Sequence, residues 1–271
     1  MQQAEDFRTE SRELANILAD LPEAAFHEPT QFKGWTIDHV LGHLHLFNAA
    51  AEAALRGADA FSSFIAPVQR DMQAGKSILE CQFPWLDGLS GRALLEVWQK
   101  GAEDCADAFA TADPKQRLKW IGPDMSALSS VTARQMETWA HGQEVFDHLG
   151  LVRRESDRLR NIVHLGVVTF GWSFRNRGLS VPEPPPHVRL NAPSGAIWDW
   201  NAPSDGSAAT STIAGSAVEF AQVTTQVRNV ADTDLRVRGE PATTWMRIAQ
   251  CFAGPPEDPP EPGTRFRVSV R

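Results

Sequence analysis

The stretch Met136-Glu137-Thr138-Trp139-Ala140-His141-Gly142-Gln143-Glu144-Val145 decides how this chain is read. It lies within residues 126–149, whose apolar spacing predicts a helix stopped by Gly150. Glu137 and His141 are spaced i, i+4. Helix geometry puts them on one face with Cβ atoms about 5–6 Å apart, so the pair can grip one cation. A third ligand from a facing helix would leave one position open, which is the catalytic arrangement of zinc. His43, within a second predicted helix running from Thr36 or Asp38 to about Arg56, is the natural third.

Plainer readings stand beside this one. Arg134, Glu137, His141, Glu144 and His148 share one stripe, with Leu128, Val131, Met136, Trp139, Phe146 and Leu149 mostly opposite. Periodicity alone describes that stripe as a solvated face. His43 is flanked by Val40, Leu46, Phe47 and Ala50. That apolar sector suits a core histidine bonded to a carbonyl as well as a ligand in a dry pocket. His39 makes another i, i+4 pair with His43, and His45 points away toward the surface.

Working outward, residues 4–21 predict a first helix through Phe7, Leu14, Leu18 and Leu21. Residues 59–88, broken by Pro67, Gly75, Pro84 and Gly88, read as a long loop. Ser90–Thr111 is a third helix, 126–149 the fourth, and 155–177 a fifth stopped by Gly178. Pro182-Glu183-Pro184-Pro185-Pro186 is a stiff extended linker. Beyond it, His187–Leu190 and Ala196–Trp200 flank a hairpin signal at Pro193-Ser194-Gly195. Residues 216–229 and Thr243–Phe252 read as helices, Leu235–Arg238 and Arg265–Val270 as strands. The fold class is therefore α+β: a bundle of four helices plus an extra one over 1–180, and a small α+β domain over 181–271.

Composition narrows the function classes. The 42% hydrophobic and 22% charged fractions are those of a globular protein with a sizeable core. A net charge of −8 without a basic run argues against nucleic acid or anionic membrane as partner. Cys81, Cys105 and Cys251 are widely spaced and form no CxxC, which suits a reducing cytoplasm. The N-terminal segment has no secretory pattern, and no run of 18 apolar residues predicts a membrane span. The absence of Tyr removes it as an acid, base or ligand.

Gly34-Trp35-Thr36-Ile37 followed by Val40-Leu41-Gly42-His43-Leu44 resembles the first metal motif of the mycothiol-dependent maleylpyruvate isomerase family, within the DinB/YfiT-like superfamily. Residues 136–145 resemble its second motif. The resemblance covers about 30–150. It implies a bacterial, DinB-like four-helix bundle holding a divalent metal through His43, Glu137 and His141, with no counterpart for His39. Zinc is the first expectation, with nickel or iron also suited to such donors. It also implies a low-molecular-weight thiol, mycothiol or glutathione, as cosubstrate. Residues 216–254 resemble a C-terminal module carrying a wyosine-base-formation label, whose tRNA chemistry does not suit an acidic chain.

A metal deprotonates a bound thiol, and the thiolate is the nucleophile. In the family it adds to a cis-enoic acid, the bond rotates, and the thiol is eliminated; relatives transfer the thiol to an electrophile. The expected function is thus a thiol-using isomerase or S-transferase acting on a small, carboxylate-bearing electrophile. Arg228, Arg238 and Arg247 are candidates for the carboxylate, since arginine binds it through a planar fork. Glu144 is a candidate general base or support for a ligating histidine. Trp35 and Trp139 read as packing residues, and Asp38 as a charge complementing the helix dipole. The alternatives are a metal-dependent hydrolase that activates water and a non-catalytic metal- or ligand-binding protein. Expected partners are a small substrate and the thiol, with the chain a monomer or homodimer.

Overall fold

A computed structural model describes residues 1–269. They fall into two compact units, Met1–Val145 and Phe146–Arg271. The first contains α1 (Gln2–Leu18), α2 (Ile37–Arg56), α3 (Ala58–Gln73), α4 (Ile78–Leu86), α5 (Gly91–Thr111), a small antiparallel pair β1 (Arg117–Leu118) and β2 (Met125–Ser126), and most of α6 (Ala127–His148). The four long helices are α1, α2, α5 and α6; α5 packs on both α1 and α2. Phe7, Leu46, Phe47, Phe61, Phe109 and Val131 belong to one buried core. The helical reading of this half is therefore that of a bundle, with an α+β chain overall.

Residues 59–88 are not a loop. They form α3 and α4, each with a proline inside, Pro67 and Pro84. A helical proline removes one backbone donor and crowds the preceding turn. In α3 that cost is outweighed by burying Phe61, Ile65 and Val68, an i, i+4, i+7 stripe. Helix α4 starts at a capping box: the Ser77 hydroxyl accepts from Glu80 N–H, and Glu80 accepts from Ser77 N–H. That Ser-x-x-Glu signal was present in the sequence and outranks the proline seven residues on.

The start of α2 is fixed as firmly. Lys33 and Gly34 both have positive φ, and Trp35 N–H donates back to Phe32 O at 2.8 Å. Two left-handed residues in succession favour glycine at the second position. Thr36 caps the helix by accepting from His39 N–H, and His39 Nδ1 accepts from Thr36 N–H. Gly42 lets α4 approach: a Cβ there would stand 2.6 Å from Leu86 Cδ1. Asp38 accepts from Gly91 N–H and pairs with His27, so it ties α2 to the start of α5 as well as facing its own helix dipole.

The second unit holds α7 (Arg160–Val168), α8 (Phe170–Arg175), β3 (His187–Asn191), β4 (Ile197–Trp200), β5 (Thr212–Ser216), α9 (Ala217–Thr224), β6 (Arg236–Arg238) and α10 (Ala242–Ile248). The sheet order is β4-β3-β5-β6, with β3 and β5 parallel and the other pairs antiparallel. The β3–β4 hairpin forms as its sequence predicts. The fifth helix is split at Thr169 into α7 and α8, which pack on α9 and α10. The second unit starts at Phe146. Residues 265–269 form no strand; Val268 N–H donates to Asp147 O instead, and Val270 lies outside the described residues.

Trp98 of α5 is fully buried where that helix meets its neighbours. Trp98→Ala is expected to cost about 3–5 kcal/mol through lost transfer energy and the cavity left behind. Urea unfolding measures it, and a loss below about 1 kcal/mol would place the residue outside the cooperative core.

Candidate metal centre

Helix α2 supplies His43 and α6 supplies Glu137 and His141, and the three side chains meet inside the first unit. Their candidate ligand atoms all lie within 4.8 Å of one another. His43 Nε2 is 3.3 Å and His141 Nε2 3.4 Å from the same oxygen, Glu137 Oε2. The side chains are 12%, 12% and 19% exposed for His43, His141 and Glu137, so the group is mostly out of water yet reachable.

Aromatic rings hold the two imidazoles. Trp35 stacks on His141 at 5.9 Å with an interplanar angle of 7° and meets His43 edge-on at 5.6 Å. Phe32 meets His141 at 5.0 Å, and Phe47 lies 4.8 Å from His43. The turn through Lys33 and Gly34 is what brings Phe32 and Trp35 side by side, 5.1 Å apart. Trp35 is thus a packing residue, as its sequence context indicates, and what it packs on is the site itself.

Electrostatics favour an ionised Glu137. Burial alone would raise its pKa, but hydrogen bonds from His141 and His43 and the charge of Arg134 hold it well below the usual carboxylate range. Burial pushes the His43 pKa down, against the pull of Glu137. A neutral imidazole beside an ionised carboxylate is a donor set ready for a divalent cation, since both ligands must be deprotonated to bind. His43 Nδ1 is buried without a hydrogen-bond partner among the described residues.

Other sequence candidates separate from this group. His39 spends its Nδ1 on capping α2, and burial lowers its pKa. His45 is not a plain surface residue: its ring lies 4.7 Å from Trp85 and close against Gly101, and burial lowers its pKa too. Glu144 is buried one turn beyond His141 and is not among the three converging ligands. Arg134 and Glu144, at 4% and 3% exposure, overturn the picture of a solvated stripe. In the second unit, Arg228 donates to Asp147 at 2.5 Å, while Arg238 and Arg247 are exposed. Sequence reasoning missed Phe32, whose role depends on the turn, and gave Arg134 no role of its own.

Residues 7–146 match the model of the mycothiol maleylpyruvate isomerase N-terminal domain. The chain belongs to the mycothiol maleylpyruvate isomerase family. Two uncharacterised proteins of Mycobacterium tuberculosis, from strains CDC 1551 and H37Rv, are each 38% identical to this chain over 251 residues, covering 93% of this chain and 95% of theirs. The crystal structure of the mycothiol-dependent maleylpyruvate isomerase matches with a TM-score of 0.53 at 15% identity, over 82% of this chain and 87% of that one. A variant of that enzyme with one histidine changed to alanine matches at 0.51 over the same shares. The α+β architecture of this family member is thus that of the isomerase. No helix among the described residues is long and apolar enough to cross a membrane.

The depressed pKa of Glu137 has a consequence for the metal-free protein. A carboxylate whose folded pKa lies below its unfolded value adds stability that is complete above about pH 4.3 and lost as pH falls toward the depressed value. In the presence of chelator, wild type should exceed Glu137→Gln in unfolding free energy at pH 6, and the gap should close toward pH 3. Urea titrations at fixed pH steps measure it; a gap that is flat over the range would contradict an ionised, stabilised Glu137.

Proposed function

We propose that this family member is a metal-dependent enzyme that activates a low-molecular-weight thiol, and that it works as an isomerase or S-transferase on a small electrophile. Convergence of His43, Glu137 and His141 on one point carries this reading. The donor set fits a divalent ion: two imidazoles and one carboxylate, with a position left for a further ligand. Zinc, nickel and iron all accept such donors.

When bound, the ion supplies the charge that turns a thiol into a thiolate near neutral pH. The rest is the work of the chain. Trp35, Phe32 and Phe47 fix the imidazole planes and keep water from the buried side of the site. Glu137, already ionised, holds one negative charge in place, so no proton has to leave it when the site is filled. Mycothiol is the thiol favoured by family membership. The electrophile and its fate, rotation or transfer, are set by groups around the triad.

Purified protein is expected to hold about one equivalent of divalent metal and to show turnover of a cis-enoic acid that depends on added mycothiol. His43→Ala should lose that turnover by about a hundredfold or more, with the fold retained by circular dichroism. Metal analysis and thiol-dependent assays decide between the readings. Turnover that needs metal but no thiol would point to hydrolysis, and metal whose removal only destabilises the chain would point to a structural site.

A further inference from the structure

Arg134 lies one helical turn before Glu137 on α6 and is 4% exposed. Its guanidinium carbon stands 5.7 Å over the Phe47 ring and 5.5 Å over the Trp120 ring. Nε and Nη1 have no hydrogen-bond partner among the described residues. Phe47 is the wall it shares with the triad, because the same ring lies 4.8 Å from His43.

A guanidinium cannot shed its charge to escape burial. Unmade hydrogen bonds to a buried charged donor are costly, and two aromatic faces offset only part of that cost. Glu137 is the charge that acts most strongly on Arg134 after burial itself. Yet Glu137 Oε2 is already shared by both imidazoles. Phe47 and Trp120, whose ring centroids are 6.3 Å apart, lie toward one side of the guanidinium, and its unused Nε and Nη1 are donors of the kind arginine uses to take a carboxylate.

Charge balance points the same way. The Glu137 carboxylate and the Arg134 guanidinium carry opposite unit charges. With a divalent ion held by the two imidazoles as neutral ligands, the site would carry about two net positive charges. A thiolate answers one of them, so a second anionic group is called for, on the side where Arg134 has unused donors.

We infer that Arg134 is the receptor for a carboxylate of the substrate, held inside the bundle next to the triad. This rests on the metal-and-thiol reading above for the need of a second anion. It assigns to α6 of the first unit the role that sequence reasoning gave to arginines of the second. Arg134 is then a specificity-determining residue: it selects electrophiles that carry an anionic group.

Sodium maleate is the probe, titrated calorimetrically into the full-length protein, zinc-free and zinc-loaded. Wild type should bind it, more tightly when zinc-loaded. Arg134→Met should weaken maleate at least tenfold, while zinc affinity, measured by chelator competition, stays the same or rises because a positive charge beside the ion has gone. Should Arg134→Met fail to fold, Arg134→Lys decides: it keeps the charge, loses the planar donors, and should also weaken maleate about tenfold. Maleate binding equal to wild type in a folded variant overturns the inference. So does a tenfold loss of zinc affinity in a folded Arg134→Met protein, since the residue would then serve only to hold Glu137. Absence of zinc binding in wild type refutes the metal reading by itself, and Arg134 is then judged on the zinc-free maleate titrations.

Discussion

One carboxylate oxygen, Glu137 Oε2, is approached by two imidazole nitrogens from two different helices, at 3.3 and 3.4 Å. This requires α2 and α6 to hold a fixed rotation about their own axes, because a helix turned by a single residue carries its side chain about 100° away. Several local devices set that rotation for α2. Thr36 and His39 close a reciprocal cap, Gly42 admits Leu86 and Gln82, and Gln82 donates to the His39 carbonyl. None of these groups belongs to the converging triad, yet each helps decide where His43 ends up.

The centre is costly to fold around. An ionised carboxylate, a guanidinium and two imidazoles lie mostly out of water, and His43 and Arg134 keep nitrogens unpartnered among the described residues. Such groups lower stability unless something binds them. The bundle carries that load because its remaining interior is densely apolar: Phe7, Phe61, Trp98 and Phe109 are each 2% exposed or less. Cys105 is inert in the same core, its thiol pKa pushed up by burial.

Sequence periodicity was enough to find α1, α2, α5 and α6, since each is long and carries an apolar stripe. It failed at α3 and α4, where Pro67 and Pro84 sit inside helices that tertiary burial and a Ser77–Glu80 cap sustain. It also took the Glu137–His141 stripe for a solvated face. A helix buried on both sides shows the same alternation as one buried on one side whenever its inner face carries ligands, so period alone cannot separate the two. The motif resemblance located the triad by another route. The Phe32–Trp35 wall depends on two positive-φ residues, and the partner of Arg228 is Asp147, 81 positions away. Neither spatial relation is written in local spacing.

Cobalt(II) titration followed by visible absorption tests the triad most directly, because d–d bands report the number and type of ligands without any assumption about substrate. One equivalent should bind with the intense bands of a low-coordinate nitrogen and oxygen site. The spectrum should be lost or strongly altered in His43→Ala, Glu137→Ala and His141→Ala alike. A wild-type protein that binds no cobalt, or a spectrum that survives unchanged in the three alanine variants, would contradict metal binding at these residues.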